Sequence, residues 1–354
     1  MVKRRKSRTV SVGGIQIGGN SPITIQSMTN TDTRDVTATV KQIEALTAAG
    51  CEIVRVAVPD MIAANAIKEI KSRIKIPLAA DIHFDYRLAL TSLESGADKL
   101  RLNPGNIGSL ENVQKVAEAA KKRRIPIRIG VNAGSLQKGL LDKYGGATPE
   151  ALAESALKHA FILERMKFFD IVISVKASDV PTCIKAYEII AEKTSYPLHV
   201  GITEAGTIYA GSIKSAVGIG AVLSRGIGDT IRVSLTGDPV EEVNCAKEIL
   251  KSLKLRQLGV EFVSCPSCGR TEIDLTEAAS QIEMYCKDIK SNLKVAVMGC
   301  VVNGPGEARD ADLGLAGGNG SAVIFKKGQV FRTVNESEMV SVFIEELRKA
   351  ALNG

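Results

Sequence analysis

From about residue 22 onward the chain repeats one pattern: a short apolar, β-branched run, a polar turn, then a stretch with apolar residues at helical spacing. The runs predict strands at Ile23–Met28, Glu52–Val58, Pro77–Ile82, Lys99–Asn103, Pro126–Val131, Asp170–Val175, Pro197–Ile202 and Thr230–Leu235. Between them lie amphipathic segments such as Val36–Ala49, where Val36, Val40, Ile43 and Leu46 share one helical face. One interval is longer: a polar, Gly-rich loop over Gly134–Pro149 precedes a helix at Glu150–Lys167. Eight strand–helix units of this size match a closed (β/α)8 TIM barrel. A doubly wound open sheet is the competing arrangement, but it seldom runs to eight consecutive units. No GxGxxG follows the first strand either, which removes its dinucleotide-binding form.

The rhythm stops after a helix at Val240–Leu253. A different α/β pattern follows, with a strand at Gly259–Ser264, a helix at Thr276–Lys290 and a strand at Lys294–Met298. Two further β-like runs, Ser321–Lys326 and Gln329–Val334, precede a closing helix at Glu336–Leu352. The chain is therefore expected to be α/β throughout. A TIM-barrel substrate domain with a basic N-terminal tail covers residues 1–254, and a small α/β domain covers 255–354.

Composition narrows what these domains do. At 45% hydrophobic and 24% charged residues the chain has material for a sizeable core. The longest apolar runs, such as Val295–Val302, are far short of a membrane span, and no apolar segment follows the charged start Met1–Arg8. A cytoplasmic protein with reduced thiols is expected, so the seven cysteines read as metal-binding, catalytic or core before disulfide. The net charge of +7 is mostly local. Lys3, Arg4, Arg5, Lys6 and Arg8 hold five of the positive charges, leaving 41 basic against 39 acidic residues, a net of +2. Such a tail is expected to be a solvated terminus. With aromatics at 4% and no Trp, base stacking is poorly served, and nucleic acid is not an expected partner.

In a TIM barrel, chemistry sits at the carboxyl ends of the strands. Those ends carry Arg55, Asp81 with His83, Arg101 with Asn103, Arg128 with Asn132, Lys176, His199 then Glu204, and Arg232 with Ser234. Spacings of two and four keep paired residues on one side of a strand. A charged residue inside a barrel strand carries a burial cost unless partnered. One such Arg reads equally as a structural ion-pair member. Cations on five strands aimed at one mouth point to a multiply anionic substrate, because Arg offers bidentate contacts to phosphate and Lys a point charge. Glu204, in Ile202-Thr203-Glu204-Ala205-Gly206, has two readings: a general acid or base, or an electrostatic partner holding an Arg. His83 and His199 also read as hydrogen-bonded structural histidines.

Cys265-Pro266-Ser267-Cys268 at a strand end is a chelating knuckle, a form shared by redox pairs and zinc ribbons. A ribbon needs a second CxxC or two His, and the three His of the chain all lie in the barrel. The third thiolate is Cys300, in the Gly/Asn/Pro-rich loop Gly299–Glu307. Three Cys without a fourth suit an iron–sulfur cluster with one iron not held by thiolate, and Glu307 is the oxygen candidate there. A structural metal is the alternative. Cys286 falls on the apolar face of its helix with Ala279, Ile282 and Ile289, and Cys51, Cys183 and Cys245 read as small buried hydrophobes.

The segments VRVAVP, ADIHFD, KLRLNPGNIG, RIGVNAGSL, SVKAS, GITEAG and RVSLTGDP, followed by CPSCGR and MGCVVNGPGE, resemble the 4-hydroxy-3-methylbut-2-enyl diphosphate synthases of the methylerythritol phosphate route to isoprenoids. The resemblance covers nearly the whole chain, and the last two motifs together are highly specific. Some relatives carry a large extra domain between barrel and cluster domain. Here Leu253 is close to Cys265, so the chain resembles the compact two-domain bacterial form. The resemblance implies an iron–sulfur oxidoreductase with a [4Fe–4S] cluster on Cys265, Cys268, Cys300 and Glu307. Its substrate would be 2-C-methyl-D-erythritol 2,4-cyclodiphosphate, with the diphosphate on Arg55, Arg101, Arg128, Lys176, Arg232 and Ser234 and with Asn132 nearby. It further implies a two-electron reductive ring-opening dehydroxylation fed by flavodoxin or ferredoxin, with Glu204 supplying or positioning a proton and Glu307 the exchangeable ligand. A homodimer is implied in the same way. The competing classes are an iron–sulfur sensor or scaffold, and a phosphate-handling barrel of the dihydropteroate synthase kind, which would leave the second domain unexplained.

Overall fold

In the computed structural model, which describes residues 2–300, 306 and 309–353, the repeat closes on itself. A short hairpin, β1 (Val10–Val12) and β2 (Ile15–Ile17), precedes the barrel strands β3 (Thr24–Met28), β4 (Ile53–Ala57), β5 (Leu78–Asp81), β6 (Lys99–Leu102), β7 (Ile127–Asn132), β8 (Ile171–Lys176), β9 (His199–Val200) and β10 (Thr230–Ile231). All are parallel to their neighbours, in the order β8-β7-β6-β5-β4-β3-β10-β9. The ring is closed where the Ile173 N–H of β8 donates to the Pro197 carbonyl at 2.9 Å and Ile173 bridges Leu198. All eight predicted strands are present; β9 and β10 are two residues long, shorter than their apolar runs.

The connecting helices are α1 (Val36–Ala49), α2 (Met61–Arg73), α3 (Tyr86–Glu94), α4 (Leu110–Arg123), α5 (Lys138–Tyr144), α6 (Pro149–Arg165), α7 (Val180–Lys193), α8 (Ile208–Ser224) and α9 (Pro239–Ser252). Asp35, Asp60, Asp85, Asp179 and Asp238 each accept a first-turn N–H, so five of the turns that leave the strand ends are fixed by an N-cap carboxylate. The apolar shell lies between strands and helices, where Val54, Leu100, Ile129, Ile173 and Val200 are fully buried. The lumen is different. Lys99 Nζ on β6 donates to Gln26 Oε1 on β3 at 2.7 Å, both buried, and with two strands lying between β6 and β3 that bond crosses the barrel interior.

The hairpin was not foreseen. It packs Val12 and Ile17 onto Ile53 and closes the amino-terminal end of the lumen. The basic tail is likewise not a solvated terminus. Arg4 and Arg5 pair with buried Asp229 at 3.1 and 3.8 Å, Ser7 Oγ donates to the same carboxylate at 2.8 Å, and the Arg8 guanidinium stands 5.1 Å from the Tyr196 ring centroid. The correction has a simple cause: a buried carboxylate below β10 needs cations, and the tail is within reach of it.

The chain divides into two units, the first ending at Arg256 and the second beginning at Gln257. The second holds a five-stranded sheet of β11 (Glu261–Ser264), β12 (Lys294–Met298), β13 (Leu313–Gly318), β14 (Ser321–Lys326) and β15 (Gln329–Asn335), with helices α10 (Leu275–Cys286) and α11 (Met339–Asn353). β11, β12 and β13 run parallel, and β14 and β15 return antiparallel. Both helices cover one face, where Ile282, Cys286, Phe343 and Leu347 pack on Val295, Val297 and Leu315. Strand β13 was missed because LGLAGG lacks β-branched residues, and the last helix begins at Met339, after a single turn of 3-10 helix at Glu336–Glu338. No helix among the described residues is long and apolar enough to cross a membrane.

Candidate active site

At the carboxyl ends of the barrel strands a cavity of about 210 Å³ is lined by Arg55, Asp81, His83, Arg101, Arg128, Gly130, Asn132, Ser174, Lys176, Thr203, Arg232 and Ser234. All seven residues expected to bind the substrate are in this set. Five strands supply the cations, and the five side chains are organised unequally. Arg101 Nη1 pairs with Asp81 Oδ1 at 3.0 Å and also meets His83 Nε2 at 3.0 Å, while its Nη2 donates to the Gly130 carbonyl at 3.0 Å. Arg55 shares Asp81 at 3.6 Å and rests its guanidinium on the Met28 sulfur. Arg232 pairs with Glu242 at 3.0 Å. Among the described residues no carboxylate pairs with Arg128 or Lys176, and Nε and Nη1 of Arg128 have no hydrogen-bond partner.

Two glycines make room for this crowding. A Cβ on Gly130 would lie 2.6 Å from Arg101 Nε, and one on Gly201 would lie 2.7 Å from Lys176 Nζ and 2.4 Å from the Arg232 carbonyl. Asn103 accepts the Gly130 N–H at 3.0 Å, so it fixes β7 rather than facing the cavity. Behind it, His159 of α6 accepts the Gly105 N–H at 3.2 Å, and burial pushes this imidazole down to about 4, keeping the acceptor nitrogen free.

The electrostatics follow from burying like charges together. Burial lowers Lys176 well below the usual lysine range, and Arg232, Arg128 and Arg55 push it further. Arg55 is brought down to about 10, by burial first and against the pull of Asp81. Burial opposes ionisation of Asp81, but Arg55 and Arg101 outweigh it and hold the carboxyl below its ordinary value. Arg128 is under the same pressure from burial and from Arg55 and Arg101, yet a guanidinium stays protonated, so its cost remains as unpaired positive charge. His83 is lowered by burial. His199 is fully buried, with Thr230 Oγ1 at 3.4 Å from its Nδ1 and no hydrogen-bond partner for its Nε2 among the described residues, and so reads as a lumen residue.

Glu204 is exposed, directly after the cavity-lining Thr203, and is not itself part of the lining. Its φ of 53° places a non-glycine residue in the left-handed region, a local cost that marks many functional turns. Glu242, on the first turn of α9, was missed; the only signal for it was the acidic pair Glu241–Glu242 shortly after the RVSLTGDP segment. A larger groove of about 570 Å³ lies on the outer wall among α5, α6 and α7, away from the strand ends.

In the second unit Cys265 and Cys268 follow β11, and Cys300 follows β12, the adjacent parallel strand. The Gly299 N–H donates to Cys265 Sγ at 3.2 Å, which brings the two strand ends together at one sheet edge. Cys268 is exposed, and the backbone N–H of Arg270, with help from Thr271, holds its thiol below the ordinary value. Among the described residues no three His, Cys, Asp or Glu converge on a single metal position. Three soft thiol donors at one edge, one already accepting a backbone N–H, fit an iron–sulfur cluster better than a closed tetrahedral zinc site. Glu307 lies outside the described residues. Cys51, raised by burial to about 12, Cys183 and Cys245 belong to the barrel unit, and Cys286 packs in the helix-covered core of the second, so these four stand apart from the edge.

A (β/α)8 barrel with a multiply cationic mouth, followed by an α/β unit with thiols at the ends of two adjacent parallel strands, defines a two-unit α/β class. Comparison with known proteins places the chain within it. The model of the GcpE TIM-barrel domain matches residues 7–247, and that of the GcpE protein C-terminal domain matches residues 261–349. The chain belongs to the GcpE family. It is 60% identical over 350 residues to 4-hydroxy-3-methylbut-2-en-1-yl diphosphate synthase (flavodoxin) of Caldanaerobacter subterraneus subsp. tengcongensis, covering 99% of each chain. It is 58% identical over 346 residues to the enzyme of the same name from Geobacter sulfurreducens, covering 98% of each. Among solved structures, the dihydropteroate synthase of Stenotrophomonas maltophilia matches with a TM-score of 0.51 at 13% identity, covering 70% of this chain and 98% of that one. That likeness concerns the fold alone.

Proposed function

We propose that this chain reduces 2-C-methyl-D-erythritol 2,4-cyclodiphosphate to 4-hydroxy-3-methylbut-2-enyl diphosphate in isoprenoid precursor synthesis. Two electrons and two protons enter, the cyclic diphosphate opens at a carbon–oxygen bond, and a hydroxyl leaves as water. The observation that carries the reading is the mouth: cations from five strands, two of them without a carboxylate partner among the described residues, at the place where a barrel binds substrate. A diphosphate would supply the missing counter-charge, with planar contacts to Arg55, Arg101, Arg128 and Arg232, a point charge from Lys176, and hydrogen bonds from Ser234 and Asn132.

Cys265, Cys268 and Cys300 would hold a [4Fe–4S] cluster, with Glu307 as the remaining ligand, and the bound cluster would supply one-electron transfer to the substrate. Flavodoxin is the electron donor in this reading, supported by the names of the relatives. Asp81 keeps Arg55 and Arg101 in place, and Glu204 serves as the proton donor for the departing hydroxyl. A homodimer in the cytoplasm completes the proposal, and membership of the GcpE family supports it.

Anaerobic turnover with reduced flavodoxin tests it. Glu204→Gln is expected to keep its iron and its affinity for the cyclic diphosphate while losing at least about a hundredfold in turnover, the scale of a missing general acid. Full activity in that variant would remove Glu204 from the chemistry. Cys300→Ser is expected to lose iron and activity together, whereas Cys286→Ser keeps both.

A further inference from the structure

The two carboxylates at the mouth are used differently. Asp81 is divided between Arg55 and Arg101, while Glu242 is given to Arg232 alone. Glu242 is only 4% exposed, on the first turn of α9. It accepts Arg232 Nη2 at 3.0 and 3.2 Å and Nε at 3.3 Å. The same carboxylate accepts Ser27 Oγ of β3 at 3.0 Å and the Leu235 N–H at 3.0 Å. Its acceptor capacity is thereby filled by one guanidinium edge, one strand and one loop.

We propose that Glu242 is the positioning residue for the Arg232–Ser234 side of the mouth, a role that rests on the mouth being the diphosphate site. It holds the Nε–Nη2 edge of Arg232 and leaves Nη1, which has no hydrogen bond among the described residues, for the ligand. Through Leu235 it fixes the loop that carries Ser234, next to the residue it clamps. A guanidinium held along one edge loses less side-chain entropy when an anion arrives, so the clamp raises anion affinity even though its own charge opposes the anion.

That opposition gives the test its sign. If Glu242 acted on the ligand only as a nearby negative charge, neutralising it would tighten anion binding. If it positions Arg232, neutralising it weakens binding. Calorimetric titration of the full-length protein with inorganic pyrophosphate separates the two. Glu242→Gln is expected to bind about tenfold more weakly than wild type, the scale of one charge-assisted contact, and Glu242→Asp to recover part of the loss. In an Arg232→Ala background the Glu242→Gln change should add no further loss, because the residue it positions is gone. Ser27→Ala, which cuts the tie to β3 but leaves the clamp, should stay within about twofold of wild type, so a merely structural strand tie is told apart. With the cyclic diphosphate as substrate, the loss should fall on KM with kcat nearly unchanged. Tighter or unchanged binding by Glu242→Gln, or an equal loss with and without Arg232, overturns the proposal. If wild type itself does not bind pyrophosphate, the diphosphate reading of the mouth falls first. Should Glu242→Gln not fold, Glu242→Asp keeps the charge but shortens the side chain: weaker pyrophosphate binding is expected if the carboxylate positions Arg232, and unchanged binding would overturn the proposal.

Discussion

Lys176 and Arg128 stand at the mouth without carboxylate partners among the described residues, and of the two only the lysine can shed its charge in response. Lys176 sits in a strand end at 6% exposure, lowered by burial and then by Arg232, Arg128 and Arg55. A lysine lowered in the empty site and raised by an anion takes up a proton when the anion binds, so affinity should rise as pH falls through the lowered value. Pyrophosphate titrated into the protein in buffers of different ionisation enthalpy should therefore report proton uptake of up to about one per site, and Lys176→Met should abolish most of it. Unchanged uptake in that variant would place the titrating group elsewhere. These cations were legible in the sequence, because a charge inside an apolar strand is conspicuous. Glu242 was not, since an acidic residue in the first turn of a helix is also what the helix dipole favours. Its role exists only once α9 folds back over β10 and β3.

The strands show a second arrangement that no periodicity reveals. Lys99 and Gln26 come from β6 and β3 and bond across the lumen, while Gln26 Nε2 and His199 Nε2 lack partners among the described residues. Lys99 Nζ and Gln26 Oε1 each keep the other from being an orphaned buried polar atom. Gln26→Leu or Lys99→Met alone should destabilise by about 1–3 kcal/mol, because the remaining partner stays buried and unpaired. The double variant should recover most of that, since an apolar pair needs no hydrogen bond. Urea unfolding of the four proteins measures it, and simple additivity would show that the two side chains do not depend on each other. Strand positions were legible from β-branched runs and the barrel helices from apolar residues at helical spacing. The hairpin β1–β2 and the strand β13 were not. The hairpin's alternating Val10–Val12 and Ile15–Ile17 flank a Gly-Gly turn but are only three residues each, too short to stand out as runs, while LGLAGG in β13 lacks β-branched residues; both are held by what they pack against.

The net charge of +7 and the length of the chain gain meaning only after folding. Arg4 and Arg5 of the tail are committed to Asp229 at the amino-terminal end of the barrel, so they are not available to a ligand, whereas the mouth gathers its cations from residues scattered over five strands. The barrel unit carries its own apolar shell, its own plug in β1–β2, and all seven residues expected to bind the substrate. The second unit carries its own two-helix core and all three candidate thiol ligands. In the proposed function chemistry is thus divided along the chain: anion recognition before Arg256, thiolate ligation after it. A chain ending at Arg256 is expected to fold, to contain no iron, and to bind pyrophosphate within about threefold of the full-length protein, a difference below 1 kcal/mol. Circular dichroism, iron analysis and calorimetry check the three parts separately. A loss of more than about tenfold in pyrophosphate affinity, with the barrel still folded, would mean that the mouth depends on residues beyond Arg256 and that the division fails at recognition itself.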